Sequence, residues 1–154
     1  MMTDICTALS RIPKLGQALR QAYPSWKILY IEEYWDSEYW VREICHNCDE
    51  GPLVYAQTRI PKQTYLTHEV ALNNLGSASI GDHFLFLRDD VSRSPFSCKA
   101  ITEQDSIHTK IATYLGQEPV FYQRESTFSI AKNSLTISEY FGQKALHAFG
   151  ISAP

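Results

Sequence analysis

Two charged residues stand where a strand pattern calls for apolar side chains, and both belong to types that do chemistry. Alternate residues of a strand share a face. Over residues 135–141 this puts Leu135, Ile137, Glu139 and Phe141 on one face, and Thr136, Ser138 and Tyr140 on the other. Glu139 is therefore a carboxylate inside an apolar stripe. Burial raises the pKa of such a group unless a cation or hydrogen bonds compensate, which is how acid/base groups are prepared. A hairpin closing around Lys132-Asn133 would pair Ile130 with Leu135, Phe128 with Ile137 and Ser126 with Glu139, leaving Arg124 as a diagonal neighbour of Glu139. On the pattern alone, a structural ion pair is the commoner outcome.

The second misplaced charge is Arg42. In the strand expected over 39–48, Trp40, Arg42, Ile44 and His46 share a face. A turn at 49–52 would set Arg42 opposite Arg59 and Ile44 opposite Gln57. Two arginines so placed repel unless an anion lies between them, and the guanidinium fork suits a carboxylate or a phosphate. The competing readings are that Arg59 points into solvent or that the register is one residue off.

Other chemistry-bearing residues carry weaker signals. Cys45-His46-Asn47-Cys48 has no second ligand pair at zinc spacing and is followed by turn residues rather than a helix, so it reads as two thiols at the end of a strand. The four cysteines, at 6, 45, 48 and 98, read as reduced thiols of a cytosolic protein. The five histidines are scattered and compose no triad; His83, just after Gly81, is a candidate pocket residue. Residues 76–81 are glycine-flanked without the lysine of a phosphate loop, though their N–H groups could hold one anionic oxygen.

The elements that must position these residues follow from periodicity and breakers. Helices are predicted over 13–22, 68–75 and 106–115. Strands are predicted over 26–35, 39–48, 53–60, 83–88 and 96–101, with a last hairpin of 120–130 and 135–141. Strands joined as hairpins with helices between them define an α+β fold built on one antiparallel sheet of about six strands. The 154 residues suit one domain, and 44% hydrophobic with 20% charged residues excludes wholesale disorder. A net charge of −3 without any basic block argues against nucleic-acid binding. No apolar run nears the roughly 18 residues of a membrane span, and the start, with Asp4, lacks a secretory h-region.

From Tyr39-Trp40-Val41-Arg42-Glu43-Ile44 onward the sequence resembles the chorismate pyruvate-lyase family. The resemblance runs on through Thr58 and Pro61, through Glu69-Val70-Ala71-Leu72-Asn73-Asn74-Leu75-Gly76 and Ile80-Gly81, and resumes at Leu135-Thr136-Ile137-Ser138-Glu139-Tyr140-Phe141. It implies a single antiparallel sheet with helical flaps over a pocket. It also implies a cytoplasmic monomer that needs no cofactor and no metal, converting chorismate to 4-hydroxybenzoate and pyruvate on the way to ubiquinone. By this resemblance Arg42 holds the ring carboxylate, the backbone N–H of Ile80 assists, and Glu139 contacts the ring hydroxyl. The family's second arginine aligns with Gln57, and Arg59, two residues on, is the candidate substitute. Ile12 or Leu15 could line a flap. The part before Tyr39 is shorter than in the family's enzymes, and 89–119 is longer.

Two other functions compete. The same fold serves as a non-catalytic ligand-binding domain in transcription regulators, so a binder of an aromatic acid or other metabolite is the alternative. A third reading takes the aromatic-rich 26–40 segment as a partner surface, which requires exposed Trp26, Trp35 or Trp40 and no enclosed pocket.

Overall fold

The computed structural model describes residues 2–152. Seven strands form one antiparallel sheet: β1 (Lys27–Asp36), β2 (Tyr39–Cys48), β3 (Gly51–Pro61), β4 (Val91–Arg93), β5 (Ser97–Thr102), β6 (Val120–Ile130) and β7 (Asn133–Phe141). The spatial order is β1-β2-β3-β7-β6-β4, with β5 pairing the same edge of β6 as β4, further along the strand. The α+β architecture read from the sequence is the one observed.

Among the described residues, seven short helices surround the sheet. They are α1 (Met2–Ser10), α2 (Leu15–Ala22), α3 (Lys62–Thr67), α4 (Glu69–Asn73), α5 (Ile80–His83), α6 (His108–Leu115) and α7 (Gln143–Ala148). One face of the sheet carries two apolar clusters. The first joins Ile5 and Leu9 of α1, Leu15 and Leu19 of α2, and Leu146 of α7 to Phe141. The second joins Tyr65, Leu72 and Ile80 to Phe128, Ile130 and Leu135. On the opposite face, Ile111 of α6 packs with Tyr55, Phe121 and Tyr140. No helix among the described residues is long and apolar enough to cross a membrane.

Several expectations need correction. The strand expected over 83–88 is instead α5 followed by a 3₁₀ turn, Leu85–Leu87. The Ser79 hydroxyl caps α5 by accepting from the Asp82 N–H at 3.2 Å, and Phe84 and Leu85 are both buried. The helix expected over 68–75 is observed as the shorter α4, and α3 precedes it across a break at His68. Helices α1, α3 and α7 and the three-residue β4 lie outside every predicted element.

Register matters more to the site. The β6–β7 turn is tighter than expected, with Ile130 opposite Asn133 and Ala131 at a φ of 54°. Phe128 therefore faces Leu135, and Arg124 lies directly across from Glu139. This is a two-residue shift, so every side chain keeps its face. In β2–β3 the shift is one residue: a bulge at His46/Asn47 places Arg42 opposite Thr58, Glu43 opposite Gln57 and Val41 opposite Arg59. Gln57 and Arg59 are thereby on the other face of the sheet from Arg42.

The cysteine expectation also fails in part. Cys6 of α1 and Cys98 of β5 form a disulfide across 92 residues of sequence, while Cys45 and Cys48 remain free and buried at the end of β2. Burial pushes the Cys45 thiol up to about 11, so it is unreactive near neutrality. The disulfide staples α1 to the sheet edge. Replacing Cys6 and Cys98 together by alanine is expected to lower stability by about 2–4 kcal/mol through the lost constraint on the unfolded chain, read by urea unfolding. Reduction of the wild-type protein should reproduce the loss, and an unchanged midpoint in both would show that the bond carries no weight.

Candidate active site

The two apolar clusters leave a small, partly open cavity of about 50 Å³ where they meet on the sheet. Ile44, Ala56, Thr58 and Ile137 form its floor, the 13–16 segment its roof, and Ser79, Ile80 and Gly81 one wall. Four ionisable side chains border it: His46, Asp82, Arg93 and Glu139. Gly81 is required at the wall, because a Cβ there would come within 2.7 Å of the Phe86 ring.

Glu139 is where the alternation of the last strand put it, pointing to the covered face and 7% exposed. Its Oε1 accepts from Arg124 Nε at 2.6 Å, and the cavity lies beside it. Arg124 is fully buried, and its Nη1 donates to the carbonyls of Leu9 at 2.7 Å and Ile12 at 2.6 Å. Those carbonyls lie at and just beyond the C-terminal end of α1, where helix carbonyls lack partners. The structural ion pair weighed from the sequence thus exists, and it ties Glu139 to the chain segment that roofs the cavity.

Arg42 is 2% exposed and on the same face as Glu139. Two strand spacings and one rung separate them, roughly 12 Å between Cα atoms. Arg42 does not itself border the cavity. Its Nη2 donates to the carbonyls of Gly76 at 2.9 Å and Ala78 at 2.7 Å, and its Nε is 3.3 Å from Glu33 Oε1. Its Nη1 is buried without a hydrogen-bond partner. Burial lowers its pKa, an effect that Glu33 opposes. By gripping the 76–78 loop, Arg42 sets the position of Ile80, whose N–H is the first of α5 and has no intrahelical acceptor.

Gln57 and Arg59 do not join this site. Gln57 Nε2 donates to the Tyr55 hydroxyl at 2.9 Å, and Arg59 pairs with Asp36 at 3.2 Å over the Tyr39 ring. Gln57 belongs to a network on the opposite face around Glu43, which is fully buried. Burial alone would raise the Glu43 pKa. Donation from Lys110 at 2.6 Å, from Tyr34 and from Tyr55 at 2.5 Å outweighs it and holds the carboxyl below its usual range. Of the flap candidates, Leu15 borders the cavity and Ile12 acts through its carbonyl; His83 is exposed.

Sequence reasoning missed Arg93 and left His46 without a role. Arg93 leaves the three-residue β4, donates to Ser126 Oγ at 2.9 Å and to the Pro13 carbonyl, and stacks on Phe96 and Phe128. Burial lowers its pKa to about 10. A strand of three residues has too little alternation to reveal which way Arg93 points. His46 shares the face of Arg42 and accepts at Nδ1 from the Trp26 indole N–H, 3.1 Å away. Its place on that face was legible; the pairing with Trp26 was not.

The sequence pattern of the chorismate lyase family matches residues 2–148. The chain belongs to the chorismate lyase family. It is 33% identical over 116 residues to a probable chorismate pyruvate-lyase of Psychromonas ingrahamii, covering 74% of this chain and 59% of that protein. It is 29% identical over 117 residues to a chorismate pyruvate-lyase of Serratia proteamaculans, covering 75% and 57%. The chain therefore spans under two thirds of the length of these relatives. Among solved structures it is similar to the ligand-binding domain of a GntR-family transcriptional regulator from Bordetella bronchiseptica, with a TM-score of 0.56 and 13% identity over 77% of this chain and 83% of that one. The C-terminal domain of the histidine utilization repressor from Pseudomonas syringae pv. tomato gives a TM-score of 0.56 at 8% identity, over 78% and 93%. At these identities the likeness is one of fold, so this chorismate lyase family member shares its architecture with regulator domains.

Proposed function

We propose that the protein is a chorismate lyase, which takes chorismate to 4-hydroxybenzoate and pyruvate and so supplies ubiquinone synthesis. The observation that carries this reading is Glu139 bordering a small cavity, with Arg42 and the Ile80 N–H arranged on the same side of the sheet. The reaction is a redox-neutral elimination. The hydrogen on C4 leaves, its electron pair forms the C3–C4 double bond, and the C3–O bond breaks with its pair on oxygen. Aromatisation supplies the driving force, so the protein has to hold a dianion, exclude water and position polar groups.

In this reading the unpartnered Nη1 of Arg42 and the Ile80 N–H take the ring carboxylate, and the Glu139 oxygen not engaged by Arg124 takes the ring hydroxyl. Arg93 is the second cation for the second carboxylate. A cavity of roughly 150 Å³ is needed for a benzene-sized ring, against about 50 Å³ here, so binding requires the 13–16 roof to lift. Arg93 and Arg124, which hold the carbonyls of Pro13 and Ile12, are the contacts that must yield or swing.

The test is to incubate the purified chain with chorismate and follow 4-hydroxybenzoate by chromatography and pyruvate by a coupled assay. Equimolar products are expected. Glu139→Gln should lower turnover about 100-fold or more while changing 4-hydroxybenzoate affinity far less. Binding of 4-hydroxybenzoate without turnover would instead establish the second reading, a non-catalytic binder. That reading draws on Arg42 already being engaged by Glu33 and two carbonyls, and on Gln57 standing where the family has an arginine. Trp35 is 45% exposed, as a partner surface requires, while Trp26 and Trp40 are half-buried; the cavity on the covered face of the sheet favours small-molecule binding over a partner surface as the main role.

A further inference from the structure

His46 is a buried histidine whose two nitrogens have different fates. Nδ1 accepts from the Trp26 indole N–H at 3.1 Å, and an imidazole nitrogen that accepts carries no proton. The proton of the neutral ring is therefore on Nε2. No hydrogen bond among the described residues uses Nε2, and the side chain borders the cavity. Burial keeps the ring neutral, pushing its pKa down to about 4 against the opposing charges of Glu139 and Asp82, with Arg124 and Arg42 assisting the fall. The result is a fixed, uncharged N–H donor that borders the same cavity as Glu139.

Its place relative to the other site residues is set by the sheet. Ile44, Ala56 and Glu139 share a rung; Arg42 lies one rung to one side on β2, and His46 one rung to the other. Cα separations are then roughly 12 Å from Glu139 to each of them and roughly 14 Å between Arg42 and His46. Three polar groups form a triangle on this face of the sheet, and two of them, Glu139 and His46, border the cavity. A ring whose carboxylate goes to Arg42 and whose C4 hydroxyl goes to Glu139 has two orientations about its C1–C4 axis, and one of them turns the C3 substituent towards the third corner.

We propose that His46 donates a hydrogen bond from Nε2 to the oxygen that leaves C3, and that Trp26 is the positioning residue that keeps the proton on that nitrogen. This rests on the lyase reading and adds to it a catalytic residue. As the C3–O bond breaks, negative charge grows on the enolpyruvate oxygen, and a preorganised donor there stabilises the transition state more than the substrate. His46 transfers no proton: the one removed from C4 is matched by the one taken up at the methylene carbon when enolpyruvate becomes pyruvate.

The test compares His46→Leu, His46→Gln and Trp26→Phe with the wild-type chain, using chorismate turnover and 4-hydroxybenzoate binding. His46→Leu should lower kcat about 100-fold, as loss of one oxyanion donor does. Affinity for 4-hydroxybenzoate should stay within about threefold, because the product lacks the leaving oxygen. His46→Gln, whose amide N–H reaches the position of Nε2, should recover about tenfold of the loss. His46→Asn, whose amide ends near the position of Nδ1, should recover none, which preserves the contrast if the leucine variant does not fold. Trp26→Phe should lower kcat about tenfold and shift the His46 tautomer towards Nδ1–H in nitrogen NMR spectra. Wild-type kcat in His46→Leu, or parallel losses of kcat and product affinity, would overturn the role of His46 while leaving the lyase standing. A wild-type chain that leaves chorismate intact would overturn the lyase reading, and this proposal with it.

Discussion

Arg42→Ala is expected to weaken 4-hydroxybenzoate binding about 100-fold, measured by calorimetry on the folded variant. Arg42 is 2% exposed, and truncating one member of a buried, hydrogen-bonded charge pair costs about 2–5 kcal/mol. Two effects act together. The carboxylate loses its cation, and the carbonyls of Gly76 and Ala78 lose the donor that fixes the loop leading to Ile80. Arg42→Lys separates them, since it keeps the charge while losing the planar fork that spans both carbonyls and a ligand. It should still bind about tenfold more weakly than wild type. Affinity within twofold of wild type in the alanine variant would remove Arg42 from the site and leave it a loop clamp.

The second large effect is on stability. Arg124→Leu leaves the Glu139 carboxylate without its cation and the carbonyls of Leu9 and Ile12 without their shared donor. Breaking a buried pair by removing one partner costs about 3–5 kcal/mol, whereas replacing both partners by apolar residues is often neutral. Urea unfolding should therefore show a loss of that size for Arg124→Leu and recovery of most of it in Arg124→Leu/Glu139→Leu. With Glu139→Leu as the remaining corner, the cycle isolates the coupling of the pair from the lost carbonyl bonds. A loss under about 1 kcal/mol in the single variant would mean that α1 holds its place over the cavity without Arg124, with the disulfide as the remaining anchor.

The residues of the last hairpin illustrate what could be read in advance. Glu139 interrupts an apolar alternation, and both its burial and its partnership with Arg124 follow from that pattern. The expected register was two residues off, yet the pair formed, because a two-residue slip leaves every side chain on its face. The β2–β3 hairpin shows the opposite case. Its expected register was one residue off, and that moved Gln57 and Arg59 away from Arg42 to the face covered by α6. The sequence held no phase to prevent the slip: Leu53, Val54, Tyr55 and Ala56 are all buried, so apolarity there does not alternate. The segment after Ser79 failed for a similar reason, since its apolar residues suit a strand and only the Ser79 cap turns them into a helix.

The sequence by itself determined the antiparallel α+β sheet, the strand 39–48 to the residue, and the inward direction of Arg42 and Glu139, all properties set by periodicities within a few residues. Tertiary structure alone decided that α1 is joined through Cys6 to Cys98, that Arg93 reaches the cavity from a three-residue strand, and that Trp26 assigns the proton of His46. These contacts join residues between 20 and 92 positions apart, and no local pattern records them. They depend on how the two ends of the chain fold back over one face of the sheet, and the same packing makes the cavity.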